Sequence, residues 1–139
     1  MRSFLSNVSI RARPEHVWDI LTNLSRWPQW NTTVSRVTGE AAPGQRVTVY
    51  LSGASGRAFP VRVVEFTAPK RMVWSGGMPL GLFKGTRVFE LSAREAVTVF
   101  QMSENYTGLL AALIGKSIPD LQPAFDEFAQ CLKREAEKH

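Results

Sequence analysis

The chain has 139 residues, 44% of them hydrophobic and 21% charged, with a formal net charge of +5. That length and balance fit one globular domain over residues 1–139 and exclude a largely disordered chain. A single cysteine and two distant histidines, His16 and His139, exclude an internal disulfide and give no ligand spacing for a metal.

Met1–Asn7 is too short and polar for a signal peptide, so a cytoplasmic location is the default expectation. Ser3 to Arg11 alternates around Phe4, Val8 and Ile10 and reads as a first strand. Pro14 suits the first turn of a helix, where its missing N–H costs nothing, and Val17, Trp18, Leu21 and Leu24 follow at helical spacing. Pro28 disfavours helical backbone at Trp27, so the helical region is expected to end across Arg26–Asn31. Strands bounded by turn residues then follow at Thr32–Thr38, Arg46–Leu51, Phe59–Phe66, Met72–Ser75, Phe83–Leu91 and Ala96–Tyr106. The short turns between them imply an antiparallel meander.

Parity conflicts within Phe59–Phe66. Phe59, Val61 and Val63 share a face with Glu65, while Val64 and Phe66 share the other with Arg62. A bulge near Val63–Val64 would resolve the conflict, and which residues there face inward stays open. Met78–Leu82 and Leu109–Ile114 are unusually apolar for connections, and they fit either an entrance lid or loops packed on a helix. From Pro119-Asp120 a long helix is expected to about Glu137, with Leu121, Phe125, Phe128 and Leu132 forming one apolar stripe. Strands followed by a long helix give an α+β arrangement. Nowhere does an apolar run approach the roughly 20 residues of a membrane span. The basic residues are scattered rather than striped, so no nucleic-acid role is expected.

Several segments, in order, carry a resemblance. They are Pro14-Glu15-His16-Val17-Trp18-Asp19-Ile20-Leu21-Thr22, Trp27-Pro28-Gln29-Trp30-Asn31, the stretch from Glu65 to Trp74, Gly85 to Leu91, and Glu104-Asn105-Tyr106-Thr107-Gly108-Leu109-Leu110. The chain resembles the SRPBCC superfamily, the START-like, polyketide-cyclase-like and birch-pollen-allergen-like helix-grip proteins. The resemblance implies a curved antiparallel sheet of about six to seven strands wrapped around a long C-terminal helix, with two short helices after the first strand. It also implies a deep apolar cavity between sheet and helix, but no universal catalytic residue. Similar members often carry histidine at the position of Arg87, so arginine there favours a fixed positive charge over imidazole chemistry.

Arg87 shares a strand face with Phe83, Phe89 and Leu91, and Glu104 shares one with Phe100, Met102 and Tyr106. A charge on an apolar face is costly unless paired or wetted. A turn at Ala93-Arg94 would pair Arg87 with Phe100 and Phe83 with Glu104, leaving the two charges two pairs apart but on one face. Two meanings stay open: a structural ion pair closing one end of the core, or a ligand contact. The expected cavity walls are Val47, Val49, Leu51, Met72, Trp74, Phe89, Phe100, Met102, Leu121, Phe125 and Phe128, with Arg87, Glu104 and Tyr106 as the polar contacts. Trp18 is expected to be packing, Trp30 to lie near a cavity mouth, Cys131 to be a small buried residue and His16 to be exposed.

These readings favour a binding module for a hydrophobic or amphipathic small molecule, lipid-, quinone- or polyketide-like, acting as a monomer or homodimer without a cofactor. An anionic or carbonyl group would sit on Arg87. Two alternatives are a cyclase- or dehydratase-like enzyme in which Glu104 or Tyr106 moves protons, and a ligand-free interaction domain. No second titratable partner for such an enzyme is visible, which leaves catalysis the weaker expectation.

Overall fold

A computed structural model describes residues 2–52, 58–78, 82–108 and 121–138. Seven strands form one antiparallel sheet: β1 (Arg2–Ile10), β2 (Val34–Thr38), β3 (Arg46–Leu51), β4 (Ala58–Thr67), β5 (Arg71–Met78), β6 (Phe83–Arg94) and β7 (Val97–Thr107). Their order is β1-β7-β6-β5-β4-β3-β2, so β2 to β7 form a meander and β1 joins its far edge beside β7. Between β1 and β2 lie helix α1 (Pro14–Thr22), a 3-10 turn (Leu24–Arg26) and the single helical turn α2 (Trp27–Trp30). The last helix, α3 (Gln122–Glu137), covers the concave face through Phe125, Phe128, Ala129, Leu132 and Ala136. This is the α+β helix-grip architecture.

Local chemistry explains where elements differ from expectation. Pro28 begins a helical turn instead of ending one, because it occupies the second position of α2, where no intrahelical N–H is needed. The fifth strand does not stop before Gly76-Gly77 but continues to Met78. Gly77 adopts φ +139°, and a β-carbon there would lie 2.3 Å from the Phe83 carbonyl oxygen, so only glycine carries the strand through. The expected bulge is present. Val63 pairs with Trp74 and Glu65 with Val73, leaving Val64 out of the ladder and 56% exposed while Val63 turns inward. The predicted helix start at Pro119-Asp120 and the apolar connection Leu109–Ile114 lie outside the described residues, as do residues 79–81 of the other connection.

Helix α3 also closes the outer edge of the sheet. It runs alongside β1 in the same direction, and its polar side chains bond groups on that strand. Gln122 Nε2 donates to the Leu5 carbonyl at 2.6 Å and its Oε1 accepts from Leu5 N at 3.4 Å. Lys133 Nζ donates to Ser9 O at 2.7 Å, and just past the strand Glu137 Oε2 accepts from Arg11 N at 2.9 Å. Asp126 accepts from the Ser6 hydroxyl at 2.9 Å. An edge strand would otherwise present free backbone groups to another chain.

The Lys133 ammonium and the Arg11 N–H hold the Glu137 carboxyl below its usual range. A lowered folded pKa contributes stability above the unfolded value, about 4.3, and loses it as pH falls through the folded value. Glu137→Gln should therefore be less stable than the parent at pH 7 in urea unfolding, with the gap closing at pH 3. An equal gap at both pH values would contradict this linkage.

Candidate functional site

Strand pairing arranges the concave face in rows that run across the sheet. One row reads Phe4 on β1, Glu104 on β7, Arg87 on β6, Trp74 on β5 and Val63 on β4. The next reads Ser6, Met102, Phe89, Met72 and Phe66. The first row holds the charges; the second is almost wholly apolar.

The β6–β7 hairpin turns at Glu95-Ala96, with Arg94 opposite Val97 and Glu95 at φ 54°. The predicted turn at Ala93-Arg94 is thus corrected by four residues in register. The sequence offers no Asn-Gly or Asp-Gly signal to place it. Because the shift is even, every side chain keeps its face. Arg87 and Glu104 become direct partners instead of lying two pairs apart.

Their contacts form a closed cluster. Arg87 Nε donates to Glu104 Oε1 at 3.2 Å and Nη2 to Oε2 at 3.4 Å, and the Tyr106 hydroxyl donates to Oε2 at 2.5 Å. The two charged side chains are 22% and 13% exposed, so both are largely withdrawn from water. Phe125 of α3 roofs the cluster, its ring centroid 4.8 Å from the guanidinium carbon, a cation–π distance. The Tyr106 ring stacks on Phe83 at 5.5 Å and meets Phe4 edge-on at 6.3 Å. Gly85 makes room for it, since a β-carbon there would sit 3.2 Å from the Tyr106 ring.

The other predicted walls occupy different ground. Trp74, Phe89, Phe128 and Phe100 form a chain of ring contacts: Trp74–Phe89 at 4.9 Å, Phe89–Phe128 at 6.1 Å and Phe100–Phe128 at 6.0 Å. Trp27 fills the space between them, stacked on Trp74 at 5.5 Å and edge-on to Phe128 at 5.1 Å. Its own Nε1 donates to the Leu21 carbonyl at 2.9 Å. Met72 and Met102 are buried in the neighbouring row. Val47 and Val49 are buried and Leu51 half-buried on β3, three strands from β6. Leu121 is half-buried at the start of α3, one turn before Phe125. The expected walls therefore divide into a packed aromatic centre and a polar end, with β3 remote from that end.

Phe4, Phe83, Gly85 and Trp27 contribute to this arrangement but were not among the expected walls or polar contacts. Phe4 and Phe83 were legible as in-facing by alternation, but only the pairing of β1 with β7 brings Phe4 to Glu104. Two surface concavities contain none of the predicted walls: one lined by Pro14, Glu15, Pro69, Lys70, Leu91, Ser92 and Ala93, the other by residues of α1 with Arg26, Trp30 and Glu135. Trp30 thus borders a surface notch while packing on Trp27 and Phe128. His16 is half-buried instead of exposed, its Nε2 3.2 Å from the Ala136 carbonyl, because α1 packs against α3. Cys131 is buried, and Trp18 is buried against Phe66. Among the described residues no group of histidine, cysteine or carboxylate side chains is arranged to hold a metal ion.

A family model described as polyketide cyclase/dehydrase and lipid transport matches residues 1–137. The chain belongs to that family. The SRPBCC resemblance read from its segments holds. No protein with a curated description matches its sequence. Among solved structures it is similar to a hypothetical protein of Helicobacter pylori, with TM-score 0.79 and 14% identity over 97% of this chain and 88% of that one. A Rhodobacter sphaeroides protein gives 0.75 and 19%, covering 94% and 89% of the two chains. Norcoclaurine synthase of Thalictrum flavum gives 0.72 and 10%, covering 99% and 87%. At these identities the likeness establishes the fold alone.

Arg87→Met would leave Glu104 withdrawn from water with Tyr106 as its remaining partner. It should cost about 1–3 kcal/mol of stability. The double variant Arg87→Met/Glu104→Met removes both charges and should recover most of that loss in urea unfolding. A double variant as unstable as the single one would show that the pair does not act as a unit.

Proposed function

We propose that this protein binds a hydrophobic or amphipathic small molecule, lipid-, quinone- or polyketide-like, between the concave sheet face and α3. The Arg87–Glu104–Tyr106 cluster would orient its polar end. The observation that carries this reading is the cluster itself: a hydrogen-bonded polar group, still partly open to solvent, on a face that is otherwise apolar and roofed by Phe125. Ligand sites take this form, apolar walls with a few converging polar groups. The family description, which includes lipid transport, and the fold shared with norcoclaurine synthase agree with it. No helix among the described residues is long and apolar enough to cross a membrane. The same reading keeps the protein a monomer or homodimer in the cytoplasm, acting on small molecules and not on nucleic acid.

Two observations favour other readings. The aromatic centre around Trp27 is filled, as expected of an interaction domain without a ligand. The short Tyr106–Glu104 hydrogen bond favours a cyclase- or dehydratase-like enzyme, the other activity in the family description. Against catalysis, Glu104 already accepts three hydrogen bonds from Arg87 and Tyr106, which leaves it little freedom to take a substrate proton.

Native mass spectrometry of freshly purified protein should reveal a bound hydrophobic mass that is released on denaturation. Bare protein that gains no thermal stability from a panel of lipids, quinones and aromatic polyketides would support the ligand-free reading instead. Should turnover of any panel member be found, its loss in Glu104→Gln with binding retained would establish the enzyme.

A further inference from the structure

We infer that the bound molecule carries a neutral acceptor oxygen, the carbonyl of a ketone, quinone or ester, and that the Trp74 indole N–H receives it. This inference rests on the ligand-binding reading above and narrows it. Trp74 is 2% exposed, and its Nε1 is buried without a hydrogen-bond partner. A buried donor left unpaired costs about 1–3 kcal/mol, and native structures rarely leave one without a reason. The contrast with Trp27 is direct, since that equally buried indole has the Leu21 carbonyl at 2.9 Å. The only other buried side-chain atom without a partner among the described residues is Asn31 Nδ2, beyond α2, whose Oδ1 accepts from Thr33 N and Oγ1.

The position of Trp74 gives its free donor a meaning. Trp74 is the direct cross-strand partner of Arg87, in the row that continues to Glu104. Arg87 spends Nε and Nη2 on Glu104, leaving Nη1 outside those bonds. Two cross-strand neighbours on one face therefore hold uncommitted N–H groups; Arg87 is 22% exposed and Trp74 2%, so the inference requires the ligand to enter past Arg87.

Charge selects the class of acceptor. The guanidinium is cancelled by the Glu104 carboxylate, and the Tyr106 hydrogen is already given to that carboxylate. The row thus presents donors without net positive charge. A carboxylate placed here would lose its hydration, gain no unspent counter-charge and face Glu104 across a short distance. A carbonyl oxygen accepts from N–H donors and brings no charge to desolvate. On this inference the group held beside Arg87 is a carbonyl and not an anion.

The test uses three probes of matched ring size on the intact, isotope-labelled protein: menadione, naphthalene and naphthoate. The indole N–H signal of Trp74 is assigned on the wild-type protein. Menadione should move that signal, and should bind about tenfold or more tightly than naphthalene or naphthoate, the worth of one or two well-placed hydrogen bonds. In Trp74→Phe its affinity should fall to that of naphthalene, whose own affinity stays nearly unchanged. Equal binding of menadione and naphthalene to the wild type with the Trp74 signal unmoved, as when a resident water holds the indole, would overturn the inference and leave the ligand-binding reading standing. Naphthoate binding more tightly than menadione would likewise overturn it. Failure of all three probes to bind would overturn both.

Discussion

An arginine on the apolar concave face of a sheet is tolerable only if its charge is answered within reach, and Glu104 answers it from the directly opposing position on β7. Much of the local architecture follows from that pairing. The hairpin must hold the register that sets Arg87 against Glu104. Tyr106 gives its hydroxyl to the carboxylate with its ring over Gly85, where a β-carbon would press on the ring at 3.2 Å. Phe125 must cover the guanidinium, which fixes where the first turns of α3 cross the sheet. Polar side chains of α3 then fasten it along β1 and close the sheet edge that would otherwise stay open.

The concave face is therefore two surfaces. Its centre is a solid aromatic cluster in which Trp27, supplied by the short helical segment before β2, wedges between sheet and helix. Its end is polar, electrically neutral and partly open. In such a fold the space for a ligand depends on how much of the sheet–helix gap the chain fills with its own side chains. Here the chain fills the centre with tryptophan and phenylalanine and leaves its unspent hydrogen-bonding capacity along the row of Arg87 and Trp74. The proposed recognition by neutral hydrogen bonding in an apolar setting rests on that division.

Much of this was legible in the sequence, and the failures have definite causes. Alternation with period two placed Arg87, Glu104 and Tyr106 on one face, and misplacing the hairpin turn by two residues, which shifts the register by four, could not disturb that, since the register shift is even. The same error hid the contact itself: the turn is made by Glu95-Ala96, residues without turn chemistry, so partner identity had no local signal. The bulge at Val64 was legible because a parity conflict in Phe59–Phe66 demands one extra residue. Pro28 and Gly77 misled, each for one reason. A residue that usually ends an element also permits one, proline at a helix start and glycine where two strands approach too closely for a β-carbon. The filled centre could not be read, because Trp27 reaches Trp74 only through packing between segments far apart in the chain.

On the proposed reading, ligands engage the polar row on the concave face while the aromatic centre stays closed. A crystal structure of the complex with a bound hydrophobic molecule tests it most directly. The molecule should lie against Phe125 with its polar atom at the Arg87–Trp74 row, and Trp27, Phe89 and Phe128 should still be in contact. A molecule seated instead in the surface notch of Pro14, Pro69, Leu91 and Ala93, with the row undisturbed, would contradict it.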